Sequence, residues 1–147
     1  MVLAVTSPLK IGVYEKGRFL EELSSEEKTS EILPSLFKEI CKKYEIEALF
    51  YARGPGSFMA IKISYIFLKT VSVVKNIPLF AADAFVFNGE TPIKAVGKLY
   101  FVKENGIIRT KKLELNDKET SPLKLPSVLD KTLFSKETEP LYILPAV

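Results

Sequence analysis

Apolar residues come in short runs at the start of the chain and at helical spacing through its middle. Val2 to Val5 is an apolar run too short for a helix and reads as a strand. Thr6, Ser7 and Pro8 follow as a turn. Leu9 to Tyr14 and Arg18 to Leu23 read as two more strands, joined by Glu15-Lys16-Gly17 in a tight hairpin. A three-stranded antiparallel meander is therefore expected first. From Glu31 to Tyr44 the apolar positions are 32, 33, 36, 37, 40, 41 and 44, one broad face of a helix. Pro34 falls in the first turn of that predicted helix, where a missing N–H costs little. Lys38, Lys42 and Lys43 fall in its later turns, which suits the helix dipole.

Ala48 to Ala52 reads as a buried strand, Arg53-Gly54-Pro55-Gly56 as a turn, and Ser57 as the N-cap of a helix. That helix runs to Lys75 and closes at Asn76, and Ile77 to Ala81 makes the next strand. A strand, a helix and a strand of this length suit a parallel crossover. Asp83 is placed to cap a short helix from Ala84 to Asn88. After a break at Gly89 to Pro92, Ala95 to Val102 and Ile107 to Leu115 read as strands joined at Glu104-Asn105-Gly106, where Asn-Gly signals a hairpin. Residues 116 to 127 read as a loop with one helical turn, and Leu141 to Leu144 as a final strand. This order predicts an α/β fold of the RNase H-like or actin-like (ASKHA) kind, a mixed sheet with helices. The expected division is an N-terminal lobe over residues 1–88 and a reduced C-terminal lobe over 89–147.

The helix from Ser57 to Lys75 is apolar nearly all round. Packing on one sheet needs an apolar stripe of little more than about 100°. Lys62 and Lys69 fall on one line, yet Phe58, Tyr65, Ile66 and Val73 lie close beside it. A helix apolar on two sides asks for two neighbours. One is the sheet. The other is a second protein or the chain's own C-terminal segment, and the shortness of the chain favours the second protein.

Composition narrows the chemistry. With 147 residues, 47% hydrophobic and 27% charged, the chain has the size and core of one compact domain. Its net charge of +3 is scattered and argues for no particular partner. There is no histidine, so serine–histidine, cysteine–histidine and histidine–metal mechanisms are excluded within the chain. The one cysteine, Cys41, lies in an apolar helical pattern and reads as a small buried hydrophobe. Met1 to Ser7 holds no carboxylate, whereas metal-dependent enzymes of the expected fold want an aspartate on the first strand. Glu15, Glu21, Glu22 and Asp83 read as solvated or capping groups. The amides of Gly54, Gly56 and Ser57 could face a phosphate, but the lysine of a P-loop is missing and the turn reads as tight packing. No cofactor and no metal is expected. No secretory signal or membrane span is legible, and the chain is expected to be cytoplasmic.

Arg53-Gly54-Pro55-Gly56-Ser57-Phe58 resembles the segment of the TsaB (YeaZ-like) family in which a strand ends in Gly-Arg and continues as Gly-Pro-Gly-Ser-Phe-Thr-Gly into an apolar helix. Thr6-Ser7 resembles the end of that family's Asp-Thr-Ser strand, and Ile32-Leu33-Pro34 its Leu-Leu-Pro. Asn76-Ile77-Pro78-Leu79 is similar to its Gly-Ile-Pro-Leu, and Pro140-Leu141-Tyr142-Ile143-Leu144-Pro145 to its Pro-x-Tyr-Leu-Arg. The chain departs in having Ala4 and Val5 where the aspartate stands, Lys28 for a histidine, Met59-Ala60 for Thr-Gly, Lys62 for arginine, and a shorter second half. The resemblance implies a subunit that is not itself an enzyme. Such a subunit binds a TsaD-like ATP-dependent transferase in the synthesis of tRNA N6-threonylcarbamoyladenosine. It also implies a heterodimer with that subunit, a homodimer in isolation, and a TsaE-like ATPase and tRNA in the full complex. Carried over, the interface holds Leu33, Leu36, Phe37 and Ile40 on the first helix and Phe58, Tyr65, Ile66, Lys69 and Val73 on the second. Arg53, Lys62 and Lys69 would form a positive rim toward RNA. The rival readings are a free-standing homodimer and an actin-like ATP-binding phosphotransferase.

Overall fold

The computed structural model describes residues 1–116 and 119–143. The opening meander forms as the pattern predicts, from β1 (Val2–Leu3), β2 (Leu9–Glu15) and β3 (Arg18–Ser25). Lys16 and Gly17 both take positive φ at the β2–β3 hairpin, 52° and 80°, which matches the twist of the flanking strands. β1 pairs antiparallel with β2, Val2 opposite Ile11. It pairs in parallel with β4 (Leu49–Ala52), Val2 opposite Tyr51. β4 in turn lies parallel to β5 (Leu79–Ala82). The result is a five-stranded mixed sheet in the order β3-β2-β1-β4-β5.

Two helices belong to this sheet. α1 (Thr29–Lys43) starts two residues before the predicted position, with the amides of Glu31 and Ile32 both bonded to the Lys28 carbonyl. Pro34 therefore lies inside the helix rather than in its first turn, and has no N–H to offer Ser30. Ser30 is exposed near the helix start, where water can take up its carbonyl. α2 (Phe58–Lys75) connects β4 to β5 and ends at Asn76, which adopts the left-handed conformation, φ 54° and ψ 49°.

The second half departs further from expectation. A 3-10 turn over Ala84–Phe87 follows β5, with Asp83 Oδ1 accepting from the Phe85 amide at 2.9 Å. The strand predicted over 95–102 is two strands, β6 (Ile93–Val96) and β7 (Leu99–Glu104). Gly97, at φ 57°, reverses the chain between them, a single glycine inside an apolar run that the pattern did not resolve. β8 (Ile107–Lys112) completes a three-stranded antiparallel sheet through the expected Asn105-Gly106 hairpin. The helical turn expected between 116 and 127 does not form among its described residues, and 117 and 118 lie outside them. The final strand expected at Leu141 does not form through Ile143, and Leu144 and Pro145 lie outside the described residues. Among the described residues Leu141 makes one backbone bond, from its amide to the Arg53 carbonyl at 2.8 Å, and a single bond is not a ladder.

Side chains alternate across the sheet and build a core on each face. Val2, Ala4, Leu49, Tyr51, Leu79 and Ala81 pack toward α1 and α2, with Leu33, Phe37, Ile40 and Leu68 from the helices. Leu3, Val5, Ala52 and Ala82 point the other way and join Phe85, Phe87, Ile93, Phe101 and Leu123. Both faces of the central strands are thus covered, which is why β4 reads as an unbroken apolar run. Edge strand β3 is largely exposed.

Candidate docking face

The turn between β4 and α2 is built by close approach. Gly54 sits at φ 115°, and a Cβ there would also meet the Leu141 carbonyl at 3.0 Å. A Cβ on Gly56 would lie 2.4 Å from the Val5 carbonyl, so only glycine lets the turn pass the end of β1. The Ser57 amide donates to that carbonyl at 2.8 Å. Ser57 holds the N-cap position as predicted, but its hydroxyl makes no cap bond.

Arg53 is committed within the chain. Its Nη1 donates to the Glu139 carbonyl at 2.9 Å, Nη2 lies 3.9 Å from the Glu137 carboxylate, and its side chain is 17% exposed. Arg53, expected on a positive rim with Lys62 and Lys69, thus also anchors the C-terminal segment. Tyr51 joins it by donating its hydroxyl to the Thr138 carbonyl, and burial raises the Tyr51 phenol above its ordinary range. The backbone of Ser135 bridges Ala81 on β5 in both directions. Residues 135–141 thus form a strap over the β4–β5 edge.

Around α2 the burial is one-sided. Ile61, Ser64 and Leu68 are buried against the sheet. Phe67 packs edge-on to Phe37 of α1, ring centres 5.4 Å apart, and Tyr65 stacks beside Tyr51 at 6.3 Å. The opposite face is open. Met59, Ile66 and Val73 recur every seven residues and are 58%, 54% and 70% exposed. Val74 and Phe58 are exposed beside them, as are Lys62, Lys69 and Thr70. Neither Lys62 nor Lys69 makes an ion pair among the described residues. Among the described residues of the C-terminal segment, Tyr142 stands against the first turn of the helix, its ring 4.5 Å from that of Phe58.

The predicted interface residues therefore divide. Phe58, Ile66, Lys69 and Val73 lie together on the open face of α2. Tyr65 is half-buried at its margin. Leu33, Phe37 and Ile40 do not reach a surface: they are buried at 0%, 7% and 3% against the sheet, and Leu36 packs half-buried against the same core. The apolar face of α1 is spent on its own sheet. Met59 and Val74 were missed, although the seven-residue recurrence of Met59 with Ile66 and Val73 was there to find.

The acidic residues are scattered in roles of their own. Asp83 caps the 3-10 turn and pairs with Lys103 at 2.8 Å, and this bond holds the Lys103 ammonium above the ordinary lysine range. Glu21 accepts from the Tyr44 hydroxyl at 2.5 Å and lies 3.4 Å from Lys43, so its carboxyl is held below the ordinary range. Among the described residues, no three His, Cys, Asp or Glu side chains gather as metal ligands. No helix among them is long and apolar enough to cross a membrane.

This is a mixed α/β fold in which a five-stranded sheet is covered by two helices on one face and by a small second sheet on the other. It is the fold of YeaZ. Over 85% of this chain and 68% of the other, it matches YeaZ from Pseudomonas aeruginosa with a TM-score of 0.56 at 15% identity. It also matches an uncharacterized protein with similarity to peptidase YeaZ from Pseudomonas aeruginosa, TM-score 0.54 at 16% identity, over 75% of this chain. The chain spans 61% of the length of that second protein. No protein-family model and no curated relative matches the sequence.

Proposed function

We propose that this protein is a non-catalytic scaffold subunit that binds a TsaD-like ATP-dependent transferase in the synthesis of tRNA N6-threonylcarbamoyladenosine. The strand order β3-β2-β1-β4-β5 supports placing it in the RNase H-like, actin-like class. The observation that carries the reading is the open face of α2 on a YeaZ-like fold. Water is a poor neighbour for Met59, Ile66 and Val73 in one line, and a partner helix would remove them from it. The absence of a carboxylate from the first strand supports assigning ATP, metal and transfer chemistry to the partner.

Charge selects the occupant of this face. α2 carries Lys62, Lys69 and Lys75 and no acidic residue. In an antiparallel pair of two copies crossing at Ile66, Lys62 of one would stand level with Lys69 of the other to within about 1.5 Å. Such like-charge contacts disfavour the pair. A partner helix with apolar teeth and acidic flanks fits better than a second copy. Size exclusion with light scattering tests this on the protein alone and mixed with the TsaD-like protein of the same cell. A 1:1 complex, lost on Ile66→Glu, is the expected result. A monomer that ignores the partner at micromolar concentration would overturn the scaffold reading, and a homodimer that persists in the mixture would replace it with the free-standing one.

A further inference from the structure

A cavity of about 460 Å³ lies away from the open face of α2, between the β1–β2 loop, the start of β6 and the loop before Leu123. Its volume is that of a small-molecule site. Its polar lining includes Thr6, Ser7, Lys10, Asn88, Lys94 and Tyr100, with Thr120 and Ser121 beside them. Among the described residues that line it, two are lysines and none carries a carboxylate. Lys10 Nζ is engaged by the Leu123 carbonyl at 3.1 Å. Lys94 makes no ion pair, and the hydroxyls of Thr6, Ser7 and Tyr100 have no partner, among the described residues. The wall is thus a set of uncommitted donors around an unpaired cation, the chemistry that receives an anion.

Asn88 adds a second requirement. It is 4% exposed and lines the cavity, and its Nδ2 donates to the Thr91 carbonyl at 2.9 Å. That bond fixes which way the amide points. Its Oδ1 is left buried with no donor among the described residues, and buried acceptors are seldom left so. We propose that this cavity binds a small molecule carrying a phosphate or carboxylate for Lys94 and the hydroxyls, and an N–H or O–H donor for Asn88 Oδ1. The proposal is independent of the partner face, since none of the exposed residues of α2 lines this cavity.

The test uses the full chain, labelled with nitrogen-15, titrated with inorganic phosphate, with phosphoethanolamine and with β-alanine. The backbone amides of Thr6, Ser7 and Lys94 and the side-chain amide of Asn88 are followed. Phosphate supplies the anion alone, while the other two add an ammonium donor and differ in the anion. Saturable shifts are expected, with one of the two ammonium compounds about tenfold tighter than phosphate and moving the Asn88 side chain. Whichever binds tighter assigns the anion. Lys94→Ala should weaken binding about tenfold, and the exposed Lys131→Ala should not. Lys94→Met, which keeps most of the chain length and loses the charge, should behave as Lys94→Ala. Absence of saturable shifts would overturn the proposal, as would equal weakening by Lys131→Ala. So would two ammonium compounds that bind no tighter than phosphate and leave Asn88 unmoved.

Discussion

Single residues in this protein act mostly by tying distant segments together. Arg53 is the clearest case, because its guanidinium and its carbonyl both hold the strap, at Glu139 and at Leu141. Arg53→Ala should lower stability by about 1–2 kcal/mol, since one charge-assisted bond to a carbonyl is lost. It should also speed proteolysis within residues 135–143, read by mass spectrometry of timed digests. Ser64 is the opposite case, a buried hydroxyl in α2 with no partner among the described residues. Ser64→Ala should raise stability by about 0.5–1 kcal/mol, through better helix propensity and relief of an unpaired polar group. Chemical denaturation measures both. The Asp83–Lys103 pair gives a pH dependence whose sign is fixed. Hydrogen bonding to Asp83 raises the folded pKa of Lys103. Its contribution is therefore fully present below the unfolded value of about 10.4 and lost as pH rises through the raised folded value. Denaturation midpoints should fall over that alkaline window in the wild type. In Asp83→Asn, which removes the charge partner, the fall should be smaller.

At the scale of elements, α2 has two faces with different duties, and substitution should separate them. Leu68→Ala empties a site that is fully buried against the sheet and should cost about 2–5 kcal/mol. Ile66→Glu, two positions earlier on the open face, should change stability by less than about 0.5 kcal/mol. Thermal melts of the two variants check the contrast. Some of this was legible in the sequence. The meander, the span of α2 and the Asn105-Gly106 hairpin follow from local turn chemistry and spacing, which sequence displays directly. Other elements depend on competition between distant parts. An amphipathic α1 can serve a sheet or a partner equally well by pattern, and only the fold shows that Leu33, Phe37 and Ile40 serve the sheet. One glycine at position 97 divides a strand, because the apolar run continues on both sides of it. The strap was illegible for a plainer reason: its anchors include a tyrosine hydroxyl, a guanidinium and backbone amides bonded to carbonyls, and carbonyls carry no sequence signature.

Taken whole, the molecule is divided by its first sheet and joined by it as well. β1 and the two residues after it give Val2 and Ala4 to the core under the helices and Leu3 and Val5 to the core under the second sheet. The second core also takes Ala52 from β4 and Ala82 from β5, so the central strands are boundaries of both cores. Phe85 lies at 0% exposure in this second core, with Phe101 of β7 in the same cluster. If the two sheets unfold as one unit, a cavity at Phe85 should be felt on both sides of the boundary. Phe85→Ala should cost about 3–5 kcal/mol. Hydrogen exchange should then show loss of protection in β7 and in β4 by the same amount, because both would exchange through one global opening. Were the second sheet an independent unit, protection would drop in β7 while the amides of β4 kept their wild-type rates. The shared core favours the first outcome, since β4 cannot keep Ala52 covered once the side chains from Phe85 to Phe101 have left it.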